Sequence, residues 1–101
     1  MDQRVINKYI LPTGGMITLT GYFSSIVDVQ LRNNEITVWI ETSPYNYKDG
    51  VIIPKAEKEM KRITFTVIGT GFVYDLDSVG AYFRTVQRGD DVWHVFVSWE
   101  N

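Results

Sequence analysis

Across residues 26–41 apolar and polar side chains alternate on both sides of Asn33-Asn34, at the spacing of a strand folded back on itself. Placing Arg32 opposite Glu35 across a two-residue loop brings Leu31 to Ile36, Val29 to Val38 and Val27 to Ile40, three apolar pairs on one face. Gln30 with Thr37 and Asp28 with Trp39 then occupy the other face. Asparagine tolerates positive φ better than other non-glycine residues, so Asn33-Asn34 suits a type I′ turn. The pattern predicts a β-hairpin with one buried side.

The same period predicts a strand over residues 5–11, ended by Pro12 and Thr13-Gly14-Gly15, and another over residues 16–21. Ile63, Phe65 and Val67 alternate with Thr64, Thr66 and Ile68 in a further strand that runs into Gly69-Thr70-Gly71. Asp75 to Ser78 reads as a polar turn, followed by strands over residues 79–87 and 92–99. Closing the last hairpin at residues 88–91 sets Phe83 opposite Phe96 and Thr85 opposite His94. Tyr82, Arg84 and Val86 then meet Val97, Val95 and Trp93. About seven short antiparallel strands result, which predicts an all-β domain, either a β-sandwich or a partly open barrel. Strand one, interrupted by Asn7 and Lys8, reads as a protected edge.

Between residues 43 and 62 the alternation is lost. Residues 43–50 are turn-rich, Val51-Ile52-Ile53-Pro54 is briefly extended, and residues 55–61 are charged. A connection of this length in a compact domain is unusual, and the reading here is one long flexible hairpin loop. A short strand at residues 51–53 or one helical turn over residues 56–60 is the alternative.

Length and composition narrow the class. A chain of 101 residues, 45% of them hydrophobic, fills one core and not two, so residues 1–101 form a single domain. It has no cysteine, which excludes disulfides, thiolate nucleophiles and cysteine-held metals and points to a reducing cytoplasm. No apolar stretch follows Met1-Asp2-Gln3-Arg4 and no run spans a bilayer, so neither a leader nor a membrane is expected. The net charge is −2, and the basic residues at 55–62 are interrupted by Glu57 and Glu59. Polynucleotides need clustered cations, so none is expected as a partner.

Chemistry-bearing residues are few, and no catalytic or cofactor motif is present. His94, the one histidine, lacks the carboxylate company of a metal site and the nucleophile of a hydrolase. It is either structural or a ligand contact through one ring nitrogen. Gly69-Thr70-Gly71 resembles an anion-cradling turn but lacks the lysine and helix of a P-loop and the third glycine of a dinucleotide fingerprint. A strand corner is the simpler reading; for a small ligand, Thr70 and the nearby Tyr74 would add hydroxyl donors. The rings of Trp39, Tyr82, Trp93 and Trp99 suit an interface, and with Arg84 beside them a stacked nucleobase. Asp75, Asp77, Asp90 and Asp91 read as solvated turn carboxylates. Arg88-Gly89-Asp90 fits a tight turn.

Some of these residues occur in a specific order: Tyr9 with Leu11-Pro12, then Val27-Asp28-Val29-Gln30, Trp39, Ile68-Gly69-Thr70-Gly71, Thr85-Val86-Gln87 and Val92-Trp93-His94-Val95-Phe96. In that order the chain resembles a family of small bacteriophage proteins classified as a domain of unknown function. It departs in the insertion at residues 43–62 and in Phe72, where the family continues with a histidine. The resemblance implies a phage origin and a β domain made in the host cytoplasm, and it transfers no activity.

The expected function is therefore non-enzymatic binding of a host or phage protein, such as inhibition of a host defence factor. Trp39, Tyr45 and Tyr47 are the candidate partner contacts. The alternative is a small-ligand binder, a sponge for a signalling nucleotide, built from Gly69, Thr70, Gly71, Tyr82, Arg84, Trp93 and His94 and shared across a subunit boundary. A homo-oligomer suits either reading, and no metal or cofactor is expected.

Overall fold

The hairpin around Asn33-Asn34 forms as β3 (Phe23–Arg32) and β4 (Glu35–Thr42) in a computed structural model that describes residues 3–100. Met1 and Asp2, where the leader reading begins, and Asn101 lie outside the described residues. Both asparagines take positive φ, 49° and 64°, as a type I′ turn requires. The predicted register holds from Arg32–Glu35 to Asp28–Trp39 and then slips. Ile40 pairs with Ile26 and not with Val27, because a β-bulge absorbs one residue of β3 and turns Val27 out to solvent.

All pairings are antiparallel. β1 (Val5–Leu11), β4 and β3 form a three-stranded sheet with β1 on its edge, where its polar residues suited it. The second sheet has the order β2-β7-β9-β8, with β2 Gly15–Gly21, β7 Lys61–Gly69, β8 Ala81–Arg88 and β9 Asp91–Glu100. Residues from both sheets make one core, centred on Val29, Val38 and Ile40 from the first and Ile63, Phe65 and Val95 from the second, all fully buried. Each such side chain contributes about 1.5–3 kcal/mol relative to exposure. The architecture is a sandwich, and neither sheet closes into a barrel.

One side between the sheets is bridged by Arg84 on edge strand β8, whose Nε lies 3.0 Å from Asp28 Oδ1 on edge strand β3. The Gln30 amide and the Val29 N–H also donate to this carboxylate, at 2.6 and 2.8 Å. Those hydrogen bonds, the Gln30 one foremost, with Arg84 and Arg32 adding to them, hold Asp28 below the ordinary aspartate range. A depressed folded value means that Asp28 stabilises the fold fully above the ordinary value of 3.8 and loses that contribution as pH falls through the lower one. Asp28→Asn should therefore flatten the loss of stability on acidification between about pH 5 and pH 2. Parallel acid dependences for variant and wild type in urea unfolding would contradict this.

The connection expected as one long flexible hairpin loop carries structure of its own, with a strand and a helical turn where the two alternatives place them. β5 (Tyr45–Lys48) and β6 (Val51–Pro54) form a separate hairpin, and Glu57–Glu59 make one 3-10 turn. Asp49-Gly50, at φ 52° and 78°, is the type I′ signal that marks the hairpin in the sequence. Glu59 accepts from Ala56 N–H at 2.8 Å and from the Asn46 amide at 3.2 Å, which ties the turn to β5 and depresses the Glu59 carboxyl. Every residue of β6 is exposed. Among the described residues no helix is long and apolar enough to cross a membrane.

Candidate functional site

Alternation along β7 and β9 sends Val67 and Val95 inward, so their neighbours Ile68, His94 and Phe96 face outward. Tyr82 and Thr85 of β8 pair with Phe96 and His94 and share that outer face. Beyond β7 the chain turns at Gly69-Thr70-Gly71, held by Thr70 N–H donating to Val92 O at 3.0 Å and Phe72 N–H donating to Gly69 O at 3.2 Å. Gly71 requires positive φ, 92°, for that turn. A Cβ on Gly69 would stand 2.9 Å from the Phe72 ring and 3.1 Å from the Trp93 ring. Two aromatic side chains thus close on a position that only glycine fills without displacing them.

The result is an open groove of about 450 Å³. Its floor is Phe96, buried although it lies on the outer face, because two tyrosines cover it. Tyr74 lies 5.4 Å away between centroids and Tyr82 meets it edge-on at 5.9 Å. A polar string crosses the groove: the Tyr82 and Thr85 hydroxyls are 2.7 Å apart, Thr85 Oγ1 is 3.0 Å from His94 Nδ1, and His94 Nε2 is 2.7 Å from Thr70 Oγ1. A neutral imidazole donates through one nitrogen and accepts through the other, and hydroxyls serve either role, so the string is satisfied in both directions. It positions His94 and supplies adaptable donors and acceptors. It contains no carboxylate to orient the ring as a general base. Thr85→Val should cost about 1 kcal/mol and release His94 Nδ1, visible as a change in ring nitrogen shifts by NMR. Unchanged shifts would mean that Thr85 does not hold the ring.

Of the residues proposed from the sequence for a ligand, Gly69, Thr70, Gly71, Tyr82 and His94 line this groove. Trp93 and Arg84 do not. Strand alternation turns Trp93 inward, where it packs against the core, and the Arg84 guanidinium is engaged by Asp28. The expected pairings of Phe83 with Phe96 and of Tyr82 with Val97 are also corrected. A bulge at Phe83 pairs Phe96 with Tyr82 and Val97 with Ala81, which is what brings Tyr82 over Phe96. Tyr74, expected near Thr70 as a hydroxyl donor, lines the groove too, whereas Phe72 and Phe96 are lining residues that the sequence reading does not include. Phe96 was accessible from the sequence, since it stands two residues from His94 on one strand.

The candidate partner contacts scatter. Trp39 lies on the outer face of the three-stranded sheet, with the Arg32 guanidinium 5.8 Å from its ring centre. Tyr45 and Tyr47 lie on β5, where Tyr47 OH accepts from Gln3 N–H at 2.7 Å. Neither place adjoins the groove. Among the described residues, no three of His, Asp and Glu gather as a metal site.

Beside the groove the loop after Gly71 exposes its apolar side chains: Phe72 by 70%, Val73 by 100%, Tyr74 by 46% and Leu76 by 75%. Asp75 Oδ1 accepts from Asp77 N–H at 3.0 Å, starting a 3-10 turn over Leu76–Ser78 that fixes the end of this loop.

A model of the family described as a domain of unknown function, DUF7352, matches residues 2–101. No curated protein and no solved structure matches the chain.

Proposed function

We propose that this chain, which belongs to the DUF7352 family, acts by binding a protein and not by catalysis, with the groove over Phe96 and the Phe72–Leu76 loop as the recognition surface. The observation that carries this reading is the run of exposed Phe72, Val73, Tyr74 and Leu76. Isolated apolar residues on a surface are ordinary, but adjacent large ones at the rim of a groove match the anchor residues of protein interfaces. The resemblance to small bacteriophage proteins, carried by the order of motifs, is what suggests a host or phage protein as the partner and inhibition of a host defence factor as the role. A homo-oligomer in the host cytoplasm is compatible with it.

The test is affinity capture from infected-cell lysate with wild type and with Val73→Asp/Leu76→Asp. Both side chains are exposed, so the fold should tolerate the change, checked by circular dichroism. A specific protein retained by wild type and lost about tenfold or more from the variant is expected, since placing a charge at a buried interface costs several kcal/mol. Equal capture by both would reject the surface.

A small-ligand reading draws on the Tyr74 and Tyr82 rings and on the string from Tyr82 to Thr70. With Arg84 engaged by Asp28, the groove lining has no lysine or arginine to meet a phosphate, which favours a protein over a nucleotide. Calorimetry with mono- and cyclic nucleotides decides between them: heat that is lost in His94→Ala would replace the protein reading.

A further inference from the structure

Phe72 stands where three depressions meet, and their charge is one-sided. The groove shares Gly69 and Phe72 with a hollow of about 340 Å³ that reaches Gly14 and Val73. It shares the same two residues with another of about 260 Å³ that ends on Asp90 and Asp91. Among the residues lining the three depressions, these two aspartates are the only Asp, Glu, Lys or Arg. Asp75 and Asp77, in the loop that carries Phe72, add the same sign. Arg88 is the cross-strand partner of Asp91, but its guanidinium reaches to the Asn34 carbonyl at 3.4 Å, so three of the four aspartates here have no cation paired opposite them.

An apolar surface that ends in a net acidic patch selects its occupant twice. Aromatic and aliphatic side chains gain by covering Phe72, Tyr74 and Val73, and a cation gains at Asp90 and Asp91. An acidic segment would be repelled at the same end. Resting on the protein-binding reading above, we propose that this surface takes a short segment of a protein partner in which a large apolar side chain stands near lysine or arginine. The apolar residue seats against Phe72 and the groove, and the cation pairs with Asp90 and Asp91.

Selection of a random peptide library on the full-length chain tests this directly, because the composition of the enriched peptides is the readout. Peptides combining lysine or arginine with leucine, phenylalanine or tryptophan are expected. Their affinity should fall about tenfold for Asp90→Asn/Asp91→Asn and weaken with added salt. Enriched peptides without cations, or ones indifferent to the Asn variant, overturn the proposal while leaving the binding surface in place. Peptides that bind Val73→Asp/Leu76→Asp as well as wild type, or no enrichment at all, remove both readings. Should the protein elute as an oligomer that Asp90→Asn/Asp91→Asn dissociates, the occupant is a second copy of this chain and the proposal fails.

Discussion

A Gly80→Ala variant should lose about 3 kcal/mol or more of stability, one of the largest effects of any single methyl group in this protein. Gly80 immediately precedes β8, where the chain comes alongside β9 so closely that a Cβ would overlap the Val97 carbonyl and stand 2.7 Å from Ser98 N. These are backbone atoms of an interior strand. Val97 pairs with Phe65 and Ser98 with Thr64, so β9 is held in place by β7 and relief would require pulling the start of β8 off β9. Gly15→Ala is the control. Gly15 has open space around its missing side chain but a φ of 94°, so its cost is the strain of a left-handed conformation, about 1–2 kcal/mol. Urea midpoints at equal slope measure both. If the two variants are equally stable, the close approach of Gly80 to β9 is wrong.

Phe65→Ala should be comparably damaging, at about 3–5 kcal/mol, from lost burial and the cavity left behind. Phe65 is fully buried on β7, paired with Ile17 on one side and Val97 on the other, and it faces the other sheet. Small domains have about 5–15 kcal/mol in total, so the variant should sit near its unfolding threshold. Phe96→Ala is an informative partner to it. Phe96 is also buried, but on the outer face beneath Tyr74 and Tyr82, where neighbouring rings can settle into the space. It should cost less stability and distort the groove. A Phe65→Ala variant less than about 1 kcal/mol weaker than wild type would show that the two sheets do not share one core.

Where the sequence misleads, the cause is specific. Val27-Asp28-Val29 alternates without interruption, so the pattern places Val27 inward, yet Ile26 beside it is equally apolar and takes the inner place once the strand bulges. Tyr82 and Phe83 repeat the case: both are aromatic, and the bulge decides that Phe83 packs toward the core while Tyr82 covers Phe96. A bulge adds one residue without breaking a hydrophobic pattern when its two neighbours are interchangeable in polarity. In residues 43–62 the charges and turn formers obscure β5, while the strand at residues 51–53 and the turn within residues 56–60 are legible as alternatives and Asp49-Gly50 between Lys48 and Val51 carries the hairpin signal.

The candidate site divides along the same line. Gly69, Thr70, Gly71 and His94 were legible because a glycine-flanked turn at a strand end and a lone imidazole are rare chemical features. Arg84 and Trp93 were drawn to them by residue type alone, and the register carried both to the other side of the sheet.

The all-β class, the Asn33-Asn34 turn and most partners across the two long hairpins follow from the chain itself, because a period of two and a two-residue turn are local constraints. Which sheet each hairpin joins, the bulges at Val27 and Phe83, and the meeting of Tyr74, Tyr82, His94 and Thr70 around Phe96 belong to the tertiary structure. They depend on contacts between residues far apart in the chain, whose energies no local pattern of polarity encodes.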